Sequence, residues 1–175
     1  MKKWFILVLA LFMLTACNNN EEVNNENVTE SASENTVGFE VLGDKIEKAA
    51  DVPEKEEKQI IEAFNEYIAA FNEKDINRYT KTLSKNPQGF EYEEDIEAAK
   101  TAFNQYNIKR TPSDITIVKY SEEEAQVYAN LDIKMTEIKT NTELTSSGRQ
   151  VTVFVKEDGA WKVTSVYYIG NESNS

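Results

Sequence analysis

The hydrophobic positions of this chain change their spacing from one segment to the next. An unbroken apolar run, Trp4 to Leu14, gives way to a long polar stretch, and apolar residues return at Gly38-Phe39-Glu40-Val41-Leu42. That return reads as a short strand or an arm lying on the domain, and Asp44 to Ala50 suit a helical turn. From Asp51 the spacing is helical. Ile60, Phe64, Tyr67, Ile68 and Phe71 form one stripe, behind a start marked by Asp51, Pro53 and the acids Glu54, Glu56 and Glu57. Asp75 is placed to cap a second, short helix with Ile76, Tyr79 and Leu83 on one face. Asn86-Pro87-Gln88-Gly89 breaks the chain. Tyr92, Ile96, Ala99, Phe103 and Tyr106 then recur in register and predict a third helix.

After Pro112 the period falls to two. Ile115, Ile117 and Val118 suggest a strand, and Ala125, Val127, Ala129, Leu131, Ile133 and Met135 alternate with polar residues along a long half-buried one. Ser146-Ser147-Gly148 suits a loop or bulge before Val151, Val153 and Val155. Glu157-Asp158-Gly159 turns the chain into Trp161, Val163, Ser165, Tyr167 and Ile169. Matching apolar faces favours a three-residue loop that pairs Val155 with Trp161 and Val153 with Val163, whereas a two-residue loop would set Val155 opposite Lys162. Helices first and an antiparallel meander second make an α+β protein with helices covering one sheet face.

The apolar run at the start is too short to span a bilayer comfortably. It follows Lys2 and Lys3 and leads through Leu14-Thr15-Ala16 to Cys17, the one cysteine of the chain. This stretch resembles a bacterial lipoprotein signal, which implies that Cys17 receives a diacylglyceryl group and becomes the first mature residue. Two acyl chains suffice for stable anchoring, since each buried methylene contributes ~0.8 kcal/mol. The competing readings are an uncleaved signal anchor and a plain secreted protein cut near Ala16. The lipoprotein reading divides the chain into a signal peptide (1–16), the lipidated cysteine with a disordered Asn- and Glu-rich tether (17–36), an arm or short helix (37–51), one folded domain (52–170) and a tail (171–175). It places the protein on the extracytoplasmic face of the cell membrane.

Composition narrows the chemistry. A net charge of -12, with 31 acidic against 19 basic residues, argues against nucleic acid and against flat binding to an anionic bilayer. The membrane is therefore a partner through the lipid alone. There is no histidine, and with Cys17 modified there is no free thiol, so imidazole and thiolate chemistry are excluded. The acid runs Glu91-Tyr92-Glu93-Glu94-Asp95 and Glu122-Glu123-Glu124 suit a helix start and a solvated turn better than a calcium loop. No metal and no cofactor are expected.

Ile60-Ile61-Glu62-Ala63-Phe64-Asn65-Glu66-Tyr67-Ile68-Ala69-Ala70-Phe71-Asn72-Glu73-Lys74-Asp75 resembles the opening helix of the NTF2-like (nuclear transport factor 2-like, cystatin-like) superfamily, with its Asn-x-x-Asp ending. Lys156-Glu157-Asp158-Gly159-Ala160-Trp161-Lys162-Val163 is similar to that superfamily's final pair of strands. The resemblance implies a cone of three N-terminal helices packed on a curved antiparallel sheet of about four strands. Family members commonly place a strand directly after the second helix, and catalytic ones often carry an acid there. Ser84-Lys85-Asn86-Pro87-Gln88-Gly89 occupies that position here, with no obvious substitute for the acid.

The superfamily joins enzymes and binding domains, so the site must decide. Tyr67-Ile68-Ala69-Ala70-Phe71-Asn72 is similar to the stretch carrying the oxyanion-hole tyrosine of the ketosteroid-isomerase branch. That chemistry also needs a carboxylate base within reach, and neither Asp132 nor Glu143 is well placed, so no catalytic residue is assigned. The expected role is binding of a small apolar ligand or a protein partner without catalysis, with Tyr67, Phe71, Phe103 and Trp161 as candidate ligand-binding residues. The alternative is a ketosteroid-isomerase-like or other acid–base enzyme built around Tyr67. The far sheet face, Tyr128, Asn130, Asp132 and Lys134 with Val166 and Tyr168, is a candidate surface for a homodimer or protein partner.

Overall fold

The structure, a computed structural model, describes residues 46–171. The signal, Cys17, the tether and Gly38 to Leu42 lie outside them, as does the tail beyond Asn171. Three helices precede four strands: α1 (Glu54–Asn72), α2 (Ile76–Thr82), α3 (Tyr92–Gln105), β1 (Tyr106–Tyr120), β2 (Glu124–Glu137), β3 (Glu143–Glu157) and β4 (Ala160–Gly170). The strands pair antiparallel in sequence order. Among the described residues no helix is long and apolar enough to cross a membrane.

The expected stripe of α1 is its buried face, with Ile60 and Phe64 wholly inaccessible. Tyr79, Ile96, Ala99 and Phe103 join it from α2 and α3, and Ile117, Ala125, Val127, Ala129 and Phe154 from the sheet. The Asn-x-x-Asp ending of α1 has a physical account. Lys74 takes a left-handed φ of 57°, Asp75 donates its N–H to the Ala70 carbonyl, and the helix closes in a Schellman-type turn. Asp75 then caps α2 by accepting from the N–H groups of Asn77 and Arg78. Asn72 clasps β1: its amide donates to the Arg110 carbonyl and its oxygen accepts from the Arg110 N–H, each at 2.8 Å.

β3 runs unbroken through Ser146-Ser147-Gly148, with neither loop nor bulge in its pairing with β2, and four further expectations need correction. The described part of the 44–50 segment, from Ile46 on, carries no helix; it lies against β1, where Ala49 donates its N–H to the Ile117 carbonyl. β1 begins at Tyr106, directly from α3, and runs through Pro112, which an edge strand tolerates because its outer side has no ladder to feed. The last hairpin has the two-residue loop. Asp158 and Gly159 both take positive φ (50° and 79°), as a type I′ turn requires, and Val155 faces Lys162 while Lys156 faces Trp161. A bulge between Val153 and Phe154 then shifts the register. It brings Val163 beside Phe154 but turns Val166 and Tyr168 to the helix side, opposite Thr152 and Gln150. The fourth correction follows from the third: Tyr128, Asn130, Asp132 and Lys134 share their face with Ser165 and Tyr167, not with Val166 and Tyr168. On that face Gln126, Tyr128, Val151, Val153 and Ser165 are buried.

The segment after α2 keeps a remnant of a strand. Leu83 makes a parallel bridge to Val163, and Ser84, Gln88 and Gly89 donate backbone N–H groups to carbonyls of Val163 and Thr164. A Cβ on Gly89 would meet the Ser165 hydroxyl at 2.7 Å, so glycine lets this segment lie close on β4.

Candidate functional site

A cavity of about 360 Å³ lies between α1, α2 and α3 and the inner ends of β1 and β4. Its walls are mostly apolar: Phe71, Phe90, Ala98, Ala99, Ala102 and Val166. Four polar groups converge on it, namely Tyr67, Tyr79, Asp95 and Arg110. Tyr67 comes from the buried face of α1 and Tyr79 from that of α2, with ring centroids 5.7 Å apart. The Asp95 carboxylate, in the first turn of α3, accepts from the Tyr79 hydroxyl at 2.8 Å. Arg110 enters from β1, lays its guanidinium 3.6 Å over the Phe71 ring and reaches the Tyr67 hydroxyl at 3.4 Å.

Burial governs the protonation of these groups. It raises the Asp95 carboxyl above the ordinary carboxylate range, against the opposing effects of the Tyr79 hydroxyl and the Arg110 charge. Burial likewise pushes the Tyr79 phenol upward, with the Asp95 carboxylate adding to it, so Tyr79 stays a donor at any physiological pH. The cavity thus offers a carboxyl, a fixed cation and two phenols on an apolar floor.

Of the four candidate ligand-binding residues, Tyr67 and Phe71 line this cavity. Phe103 and Trp161 do not. Phe103 is buried behind Phe71, edge-on at 4.9 Å between centroids, because the α3 stripe points it into the core. Trp161 sits at the other end of α1, where its indole N–H donates to Glu56 at 3.0 Å and its ring leans on Tyr120. It borders a separate cleft of about 260 Å³ with Arg78 and Glu66. Glu56 also accepts from Lys156 at 2.7 Å, and this bond, with the indole, holds its carboxyl below the usual range.

Sequence reasoning missed Tyr79, Asp95 and Arg110 as cavity residues. A cavity carboxyl is present all the same, on α3 rather than on a strand after α2. A signal for it existed: Asp95 stands three residues after Tyr92 and four before Ala99, on the apolar stripe's own side. Among the described residues no cluster of acids is arranged to hold a metal ion.

Residues 62–169, well over half the chain, match the family model described as the C-terminal domain of the anti-sigma-I factor RsgI9. The chain belongs to this family. No curated protein matches the chain. Solved structures similar to this RsgI9 C-terminal-domain relative place its fold among the NTF2-like, or cystatin-like, proteins. An NTF2-like superfamily protein from Salmonella enterica serovar Typhimurium has a TM-score of 0.60 at 14% identity, over 67% of this chain and 92% of the other. An NTF2-like family protein from Streptomyces avermitilis, described as a candidate dehydratase, gives 0.61 at 11%, over 69% and 100%. A cystatin-like protein of unknown function from Nostoc punctiforme gives 0.56 at 15%, over 70% and 96%. At these identities the likeness shows the fold alone. It is an α+β fold with three helices and a four-stranded antiparallel sheet.

Proposed function

We propose that this chain is a lipoprotein, anchored through Cys17 on the outer face of the cell membrane, whose NTF2-like domain binds a small ligand in the Tyr67–Asp95–Arg110 cavity without catalysis. One observation carries the binding reading. Tyr67 and Asp95 share the cavity but no hydrogen bond, since Tyr67 is paired with Arg110 and Asp95 with Tyr79. An enolising site would set an oxyanion donor at the substrate's carbonyl oxygen and a free carboxylate base at the adjacent carbon; here the Asp95 carboxylate is held by Tyr79 and the Tyr67 hydroxyl by Arg110, an arrangement suited to recognition. The family's anti-sigma-factor name supports a regulatory setting, in which occupancy of the cavity is the signal. Anchoring rests on the Leu14-Thr15-Ala16-Cys17 sequence and on a net charge of -12, which does not by itself favour an anionic bilayer.

The raised Asp95 carboxyl beside Tyr67 favours acid–base catalysis as the second reading. A small-molecule screen by thermal shift on the full chain in detergent separates the two. Binders should raise the midpoint of the wild type, fail to do so in Ala102→Phe, and come back chemically unchanged. Recovery of a converted compound would transfer the case to the enzyme. For the anchor, mass spectrometry of membrane-extracted protein should find a diacylglyceryl adduct on Cys17, and Cys17→Ala should release the domain or leave an unprocessed precursor. A bare Cys17 thiol on a membrane-bound protein of mature size would end the lipoprotein reading.

A further inference from the structure

Arg110 makes no direct ion pair, although its charge acts on the Asp95 carboxyl across the cavity. Among the described residues no carboxylate lies within 4.0 Å of its guanidinium, and its only side-chain hydrogen bond is the long one to the Tyr67 hydroxyl. Arg78 shows the contrast: it takes both Glu66 and Glu73. In a chain with 31 acidic residues, a half-buried guanidinium beside a cavity would readily acquire such a partner. The nearby acid is committed elsewhere, because Tyr79 holds Asp95.

Position as well as charge is fixed. Asn72 grips the Arg110 backbone from both sides, and the Phe71 ring supports the guanidinium plane. The guanidinium is thus held at the cavity wall before anything binds, which cuts the ordering cost of a ligand. A planar guanidinium with free parallel donors matches a carboxylate fork to fork, and charge-assisted bonds of that kind are about twice as strong as neutral ones. Beyond it, Phe90, Ala102 and Val166 offer only apolar surface.

We infer that the ligand of this cavity is a small organic acid: its carboxylate pairs with Arg110 and its apolar body lies against Phe90, Ala102 and Val166. The inference rests on the cavity-binding proposal and narrows it. The experiment uses benzoate and phenylacetate against their neutral amides, benzamide and phenylacetamide. Each is titrated into the full chain in detergent micelles while the backbone amide signals of Ala99 and Ala102 are followed by NMR.

Both acids should shift these signals and bind at least ~10-fold more tightly than the amides, which corresponds to about 1.4 kcal/mol. Arg110→Gln should erase that preference. Arg110→Lys, which keeps the charge and stem, should retain part of it and guards against a mere folding defect. If acids and amides shift Ala99 and Ala102 with equal affinity, the organic-acid assignment falls while cavity binding stands. If no probe moves either signal at about 10 mM, a concentration that would reveal millimolar affinity, the assignment falls and cavity binding with it.

Discussion

Asp95 concentrates at one residue the tension between folding and function. Glu91, Glu93 and Glu94 of the same run sit at a helix start, where negative charge is favoured, whereas its own carboxyl turns inward to Tyr79. Because burial raises its pKa in the folded state, the folded chain holds a proton that the unfolded chain has already lost. Stability from this group therefore falls as pH rises from the ordinary carboxylate value through the raised one. At neutral pH its ionisation opposes folding. Asp95→Asn removes that opposition and keeps an oxygen to accept from Tyr79. The variant should melt at or above the wild-type temperature at pH 7, and the gap should close on acidification. A variant less stable by the same margin at every pH would show that shape or hydrogen bonding, not charge, sets the cost. No acid-run argument from sequence alone separates Asp95 from Glu93 and Glu94; its place on the Tyr92–Ala99 stripe does.

At the scale of elements, what was legible is what local chemistry decides. The stripe of α1, the Asp75 cap and the alternation of β2 each follow from spacing within a few residues, and each is where the sequence puts it. Asn72 and Asp75 read as a motif and prove to be two devices, one clasping β1 and the other starting α2. The final hairpin misled because its valines looked like a core face. Val151 and Val153 are buried, but opposite Tyr128 and Gln126, while the helix side of β3 is Gln150, Thr152 and Phe154. Asp158-Gly159 supplies the two positive φ angles that fix the shorter loop, and this turn chemistry outranks hydrophobic matching. The bulge at Val153 and Phe154 then inverts the rest of β4, and no period-two reading can anticipate such an inversion. Because it turns Val166 to the cavity, the site was hidden by the same feature that hid the register. Arg110 was hidden differently: with β1 expected to start beyond Pro112, it belonged to no element.

For the whole molecule, the absence of histidine makes the pH response unusually readable. Between about pH 8 and pH 6 no ordinary side chain of this chain changes charge, since carboxyls titrate near 4 and lysines and tyrosines near 10. Burial displaces the Asp95 carboxyl upward, so stability lost as pH rises above the ordinary carboxylate value is assigned to it. Below about pH 5 two effects compete. Protonation relieves the self-repulsion of a body with a net charge of -12, which favours the compact state. Glu56 and Glu66 act the other way: their folded pKa values are depressed by Lys156 and Arg78, so their contribution is present above the ordinary carboxylate value and is lost as pH falls through the depressed one. The melting temperature of the wild type, taken relative to Asp95→Asn, should accordingly fall as pH rises from the ordinary carboxylate value through the raised Asp95 one. In both proteins the melting temperature should pass through a maximum near the point where repulsion is relieved but these two ion pairs survive, then drop steeply in stronger acid. Thermal denaturation of both proteins across this range checks the sequence of events. A difference in melting temperature between the two proteins that is the same at every pH would mean that Asp95 is not the cavity's proton-sensitive residue.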